Sequence, residues 1–251
     1  MNKGAGIIGM AVKAVKFYIP SKLTVFSAGA PTCDLCGARL DNAARLCPGC
    51  EADLPRLENA CTCCAVPLPI ATETCARCMQ KPPAFDRCRI PYLYRFPIDG
   101  MIRRYKFHQA LELGKVLGER LVEFLGRDLA ERPGRIDALL PVPLHITRLR
   151  ERGYNQAAEL AGMISNVLGP PLRHDLCVRI RPTEPQAQLP AAMRAKNMRG
   201  AFAVAGPVTG LRLALVDDVV TSGQTANALA KTLRRAGAAH IEVWALARAG
   251  T

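Results

Sequence analysis

The sequence predicts an α/β protein in which a mainly parallel sheet with flanking helices follows a small cysteine-rich domain. An apolar run at 213–216 leads into two carboxylates and a glycine-containing turn, the pattern of a buried parallel strand that enters a helix. Ten of the eleven cysteines precede residue 90, most of them in CxxC pairs. A hydrophobic content of 49% over 251 residues suffices for one ordinary domain and a smaller one.

The chain divides into three regions where its composition changes. We assign residues 1–30 to a basic N-terminal segment, 31–82 to the cysteine-rich domain and 83–251 to the sheet domain. Residues 7–19 suit a basic amphipathic helix, which either touches a membrane surface or packs against the body of the protein. Lysines interrupt the apolar run there, so we expect no transmembrane segment.

The cysteine spacing predicts two metal-binding units in tandem. CDLC, ten intervening residues and CPGC span 33–50, and the same arrangement returns 28 positions later at 61–78. Two CxxC pairs supply the four thiolates of a tetrahedral zinc site, so we predict two zinc ribbons. The predicted ligands are Cys33, Cys36, Cys47 and Cys50 in the first unit and Cys61, Cys64, Cys75 and Cys78 in the second.

Both zinc ions are expected to be structural, because four thiolates leave no open position for water. Cys63 lies beside the second set of ligands, and whether it replaces Cys61 or Cys64 stays open. Thiolate ligation requires reduced cysteines, which favours a cytoplasmic protein over a secreted one. The formal net charge of +13 indicates an anionic partner: a pyrophosphate, a nucleic acid or an acidic membrane surface.

The elements of the sheet domain follow from periodicity and from the positions of proline and glycine. Trp244 is interpreted as a core residue of the last strand. We predict an edge strand at 88–96, helices at 98–106 and 111–125, a strand at 137–142, a helix at 157–168, a helix after Thr225 that ends at Gly237, and a strand at 240–247.

Two groups of basic residues lie between these elements. The group at 103–106 either faces solvent on its helix or contacts phosphates. Arg148, Arg150 and Arg152 crowd a predicted loop that ends at Gly153, and like charges this close repel unless an anion lies among them. We favour ligand contact for Arg152 and leave the other two arginines open.

The acidic strand end and the turn behind it form the candidate ligand site. Asp217 and Asp218 suit ribose hydroxyls or a hydrated magnesium ion. Gly223 permits close backbone approach, and the following helix points free N–H groups at an anion. The turn also offers hydroxyl groups, those of Thr221, Ser222 and Thr225. A sugar phosphate therefore fits both halves of the site.

The stretch VDDVVTSGQT at 216–225 resembles the phosphoribosyl pyrophosphate signature of type I phosphoribosyltransferases. The resemblance implies the fold of that class and a pocket in which the two acids meet the ribose while the turn binds the 5-phosphate. It implies that Asp217 and Asp218 are the catalytic residues and that Mg²⁺ accompanies the pyrophosphate. The binding residues that it implies are Asp217, Asp218, Thr221, Ser222, Gly223, Gln224 and Thr225.

A narrower resemblance covers most of the chain. PVPL at 141–144, RGYNQ at 152–156, RPTEPQAQL at 181–189 and RAKNMRGAF at 194–202, placed after cysteine-rich ribbons, resemble the ComF family of competence-associated phosphoribosyltransferase-like proteins. The resemblance implies that Arg152 lies on the pyrophosphate side of the pocket and that 181–200 form a mobile hood over it. From this hood, Gln188, Arg194 and Asn197 would reach phosphate or base.

Two functions from different classes stay open. A binding module would recognise phosphoribosyl pyrophosphate or the phosphates of single-stranded DNA and would work beside a competence helicase in DNA uptake, as the ComF resemblance implies. A metabolic phosphoribosyltransferase without a DNA role would instead carry out nucleobase or amido transfer, in which a nitrogen nucleophile displaces pyrophosphate. Aromatic residues are only 5% of the chain, so nucleic-acid binding would depend on phosphates and would weaken with salt.

Overall fold

A five-stranded parallel sheet organises the protein in a computed structural model, which describes residues 31–42, 44–70, 73–107, 110–183 and 197–250. The strand order is β1-β7-β6-β3, and β2 continues alongside β7. The strands are β1 (Arg87–Arg89), β2 (Tyr92–Leu93), β3 (Ala138–Pro141), β4 (Cys177–Arg179), β5 (Phe202–Val204), β6 (Arg212–Val220) and β7 (His240–Arg248). The helices are α1 (Pro48–Ala52), α2 (Ala76–Gln80), α3 (Ile98–Phe107), α4 (Leu111–Glu131), α5 (Ile146–Arg152), α6 (Gln156–Leu168) and α7 (Gln224–Arg235).

Both faces of the sheet are covered, as a parallel sheet requires, and this confirms the predicted α/β class. α3, α4 and α6 cover one face and form a core that includes Leu121 and Leu160. Trp244 is fully buried in the same core, which confirms its interpretation as a core residue. α7 covers the other face through residues at helical spacing, namely Ala226, Leu229, Ala230 and Leu233.

A buried ionic network ties the edge of the sheet to its centre. Arg89 on β1 donates to Glu242 on β7 at 2.7 Å and also pairs with Asp128 on α4. The Trp244 indole donates to the same Glu242 carboxylate at 2.7 Å. Burial raises the pKa of Glu242, but the donors on Arg89 and Trp244 outweigh burial and lower it overall. Breaking this network would leave a buried charge without its partner, which is strongly destabilising.

The two cysteine units pack against opposite faces of the sheet domain. In the first unit, Arg45 pairs with Glu112 on α4 at 2.6 Å, and Glu51 accepts from Arg120 on the same helix at 2.9 Å. The second unit lies against β1, where the Cys88 amide donates to the Thr62 carbonyl at 3.1 Å. Residues of the first unit belong to the core that contains α4, and those of the second to the core that contains α7.

Several elements differ from the sequence prediction. The predicted strand at 88–96 is split at Pro91 into β1 and β2, both of them beside β7 at the sheet edge. Residues 146–152 form α5 rather than a loop, and Gly153 ends that helix in the left-handed region at φ 78°. β4 and β5 pair antiparallel outside the main sheet, an arrangement that the sequence analysis did not anticipate. The basic segment 1–30 lies outside the described residues.

Candidate functional site

We call Asp217 and Asp218 the acid pair. They lie within the last four residues of β6, the strand between β3 and β7. The sequence analysis placed these residues at the strand end, whereas the strand continues to Val220. Because alternate residues of a strand point to opposite faces, Asp217 and Asp218 project to different sides of the sheet. The two carboxylates therefore have different neighbours.

Asp218 is paired with a lysine that the sequence analysis had not linked to it. The Lys106 Nζ lies 2.7 Å from Asp218 Oδ2, and Asp218 is 7% exposed. Lys106 stands near the end of α3, so this helix brings a cation to the acid pair. Lys106 belongs to the basic group at 103–106, for which we had expected either solvent or phosphate contact. Arg103 in the same group pairs with Asp99 on the helix surface.

Asp217 has a carboxyl group that is difficult to ionise. Burial, and after it the neighbouring Asp218 carboxylate, raise the pKa of this group to about 7, although Lys106 and the Asp218 amide oppose the change. That amide donates to Asp217 Oδ1 at 2.9 Å. A ligand that brings positive charge or hydroxyl donors to this carboxylate would favour its ionised form.

The turn after β6 is built for close backbone approach. Gly223 has φ 74°, a conformation that favours glycine, and it stands directly before the first residue of α7. No side chain caps this end of α7, so its first N–H groups remain available to an anion. Thr221 and Ser222 precede the glycine, while Gln224 and Thr225 begin the helix.

Three buried polar side-chain atoms within the described residues have no hydrogen-bond partner: Ser222 Oγ, Gln156 Nε2 and Arg179 Nε. Ser222 lies in the turn after β6. Arg179 is close enough to Asp217 for that carboxylate to raise the arginine pKa, although burial lowers it overall. Gln156 begins α6, and its Oε1 accepts from Arg152 at 3.2 Å. Buried polar groups are normally paired, so each of these three atoms can take a ligand group as its partner.

Arg152 lies near the carboxyl ends of the strands, at the same end of the sheet as the acid pair. Its guanidinium stands 5.4 Å from the centroid of the Phe107 ring, and Phe107 follows the lysine that pairs with Asp218. The neighbouring Asn155 caps α6 by accepting from the Ala157 amide, and it donates to the Val142 carbonyl at 3.1 Å. The RGYNQ segment is thereby fixed to the end of β3. Of the three proposed hood residues, Asn197 is described, while Gln188 and Arg194 lie outside the described residues.

A buried arginine connects the turn to the second cysteine unit. Arg248 ends β7 and is 3% exposed. Its Nη1 donates to the carbonyls of Val220, at 3.2 Å, and Thr221, and its Nε donates to the Cys64 carbonyl at 3.0 Å. The sequence analysis missed this residue, because its three partners are distant in the chain and no local pattern marks them.

The predicted cysteine ligands form two separate clusters. In each cluster the four sulfurs lie within 4.8 Å of one another, and Cys63 belongs to neither. A tetrahedral zinc site with Zn–S bonds of about 2.3 Å requires sulfurs about 3.8 Å apart. The measured distances of 3.7 Å for Cys36–Cys47 and for Cys64–Cys75 fit that requirement. Both clusters can hold a metal ion, as the spacing predicted.

One thiol in each cluster has a lowered pKa. Burial raises the pKa of the Cys33 thiol, but backbone N–H groups of the knuckle outweigh burial and bring it to about 6. Cys61 occupies the equivalent position, and the same balance brings its pKa to about 7. Deprotonated thiols are the form that ligates metal.

Fold and site together define an α/β protein with two cysteine clusters that can hold metal ions and an acid pair close to a glycine-containing turn. No protein-family model matches the sequence. The chain is 36% identical to Competence protein F of Haemophilus influenzae over 178 residues, which cover 68% of this chain and 77% of the relative. It is 34% identical to the DNA utilization protein YhgH of Salmonella typhi over 174 residues and 35% identical to that of Escherichia coli over 173, covering 68% of this chain and 76% of each relative. The chain therefore belongs to the ComF family.

Two solved structures match part of the chain at low similarity. A glutamine phosphoribosylpyrophosphate amidotransferase from B. subtilis matches 52% of this chain and 25% of its own at 23% identity, with a TM-score of 0.34. A purine phosphoribosyltransferase from Pyrococcus horikoshii matches 53% of this chain and 73% of its own at 18% identity, with a TM-score of 0.32. Within the described residues, no helix combines the length and apolar character needed to cross a membrane.

Proposed function

We propose that the protein binds phosphoribosyl pyrophosphate with Mg²⁺ at the end of β6 and acts in DNA uptake by handling single-stranded DNA. The observation that supports the ligand site is the buried Ser222 Oγ atom, which has no hydrogen-bond partner within the described residues and lies in the turn that directly follows the strand of the acid pair. The names of the relatives support the DNA role, since they concern competence and DNA utilization. We further propose zinc in both cysteine clusters and, because their thiols must stay reduced, a cytoplasmic location.

The proposed ligand matches the site group by group. The two carboxylates would receive ribose hydroxyls or magnesium-bound water, and the turn 221–225 would receive the 5-phosphate through its N–H groups and the Ser222 hydroxyl. Arg152 would neutralise the pyrophosphate from the RGYNQ side. Magnesium would supply charge neutralisation at the pyrophosphate. Asp217 would ionise when the ligand binds, because a cation or hydroxyl donors nearby favour its charged form.

Ser222 offers a direct test of the ligand site. Its Oγ has no partner within the described residues, so replacing it with alanine should leave the free energy of unfolding unchanged. If the hydroxyl meets a phosphate, Ser222→Ala should weaken phosphoribosyl pyrophosphate binding about 10- to 100-fold, since a hydrogen bond to a charged group contributes roughly 1.5–3 kcal/mol. Isothermal titration calorimetry with Mg²⁺ measures the affinity, and urea denaturation measures the stability.

A matched control separates ligand contact from structural support. Thr209 Oγ1 donates to the Ala236 carbonyl at 3.2 Å, so Thr209→Val should lower stability and leave affinity unchanged. Asp217→Ala combined with Asp218→Ala should abolish binding while zinc content stays at two ions per chain. Undiminished affinity in that double variant would place the ligand elsewhere. Assay of pyrophosphate release with nucleobases and ammonia then distinguishes a binding module from a transferase.

A further inference from the structure

A groove lined by basic side chains runs along the exposed face of α7, beside the turn but outside the acid pair. Two adjoining cavities of about 730 and 370 Å³ form it, and both are lined by Lys81, Gln224, Asn227 and Lys231. We call this feature the α7 groove. One wall is the polar face of α7, and the second cysteine unit with its connector contributes to the lining opposite.

The α7 groove carries an uncompensated positive charge. Its exposed cations are Arg77, Lys81, Arg199, Lys231 and Arg235. Within the described part of the chain, none of these five forms an ion pair, and no carboxylate lines either cavity. Some other exposed cations have carboxylate partners: Arg103 pairs with Asp99, and Arg135 pairs with Asp137. Cations gathered without counter-charges repel one another, so this arrangement favours an anionic occupant.

The spacing along α7 suits an extended anion rather than a single phosphate. Gln224, Asn227, Lys231 and Arg235 recur at intervals of three or four residues and therefore form one stripe along the helix. At 1.5 Å per residue, the stripe is about 16 Å long. It begins at Gln224 in the turn and ends at the last residue of α7. A row of several phosphates matches this length.

We propose that the α7 groove holds the phosphodiester backbone of a single-stranded nucleic acid. A channel with cations on its lining walls encloses one backbone, which is how sequence-tolerant single-strand binders work. This inference rests on the nucleic-acid half of the proposed function and identifies the surface that performs it. Phe85 is the one aromatic residue that the described lining offers, so affinity comes from phosphates and little from base stacking.

Charge removal on the exposed face of α7 tests the assignment. Lys231→Ala combined with Arg235→Ala removes two cations that make no described ion pair. Binding of a labelled oligothymidylate is measured by fluorescence anisotropy at several KCl concentrations. Each phosphate contact contributes about 0.7 to the slope of log K against log[salt] for single strands, so the slope should fall by about 1.4.

A control variant has the same net charge as the α7 double variant. Arg39→Ala combined with Arg127→Ala removes two exposed arginines from the first cysteine unit and from α4, which lie on the other side of the sheet. This variant should retain the wild-type slope and affinity. Phosphoribosyl pyrophosphate binding should be unchanged in both double variants, because none of the four substituted residues belongs to the acid pair or to the turn 221–225.

The possible outcomes separate this inference from the proposed function. If the wild-type protein fails to bind the oligonucleotide at low salt, the DNA role fails and the α7 groove fails with it. If the wild type binds but the α7 variant binds equally well, only the surface is wrong. An equal loss of phosphoribosyl pyrophosphate binding would show that the groove belongs to the sugar-phosphate pocket. Tighter binding of a duplex than of a single strand would also overturn the proposal.

Discussion

Replacement of Asp217 by asparagine should change how the stability of the protein depends on pH. The pKa of this carboxyl is about 7 in the folded protein, against an ordinary value of 3.8. The folded state therefore holds its proton more tightly than the unfolded chain does. The stabilisation that results is fully present below pH 3.8 and is lost progressively as the pH rises to about 7. Asparagine cannot ionise, so the stability of the variant does not fall with this rise in pH.

The size of the effect follows from the shift. About three pKa units at 1.36 kcal/mol each give an upper limit of about 4 kcal/mol, and solvent at this half-buried group reduces the value. Asp217→Asn should therefore gain stability relative to wild type between pH 4 and pH 7, with a constant difference above pH 7. Urea denaturation of both proteins at half-unit pH intervals, with zinc present and without Mg²⁺ or ligand, measures this difference.

Asp137 provides a control of opposite sign. The Arg212 amide donates to this carboxylate and, with Arg135, lowers its pKa. Its stabilising contribution is present above the unfolded pKa and is lost as the pH falls through the lower folded value. Asp137→Asn should therefore differ from wild type most at neutral pH and least in acid. A stability difference for Asp217→Asn that stays flat from pH 4 to pH 8 would refute the assignment of a raised pKa to Asp217.

Two further predictions concern the cysteine units and their link to the turn. Arg248→Met removes the donors to the carbonyls of Cys64, Val220 and Thr221. This substitution should lower the free energy of unfolding by about 3 kcal/mol, measured by denaturation, and weaken phosphoribosyl pyrophosphate binding, measured by calorimetry. If both quantities are unchanged, these hydrogen bonds do not hold the turn in place. Metal analysis should find two zinc ions per chain in Cys63→Ser but one in Cys61→Ser, because Cys61 belongs to the second cluster and Cys63 does not. The reverse result would mean that Cys63 is the ligand and Cys61 is not.

The elements that sequence alone predicted well are those governed by local pattern. The ligand set of each cysteine cluster follows from a repeated spacing, and α7 from apolar residues at helical intervals. The connection between Lys106 and Asp218 could not be predicted, because it depends on where α3 packs against the sheet. α5 was missed because its three arginines suggested a loop, although His145 caps the helix and Gly153 ends it.

The two cysteine units share a spacing in sequence but not an environment. An internal repeat usually stacks its copies in equivalent positions, whereas here one copy is joined to α4 and the other to β1 and the carboxyl end of β7. The same substitution made at matching positions of the two units therefore affects different parts of the sheet domain. Unfolding of the first copy would disturb the surface of α4, while unfolding of the second would reach the turn 221–225 through Arg248.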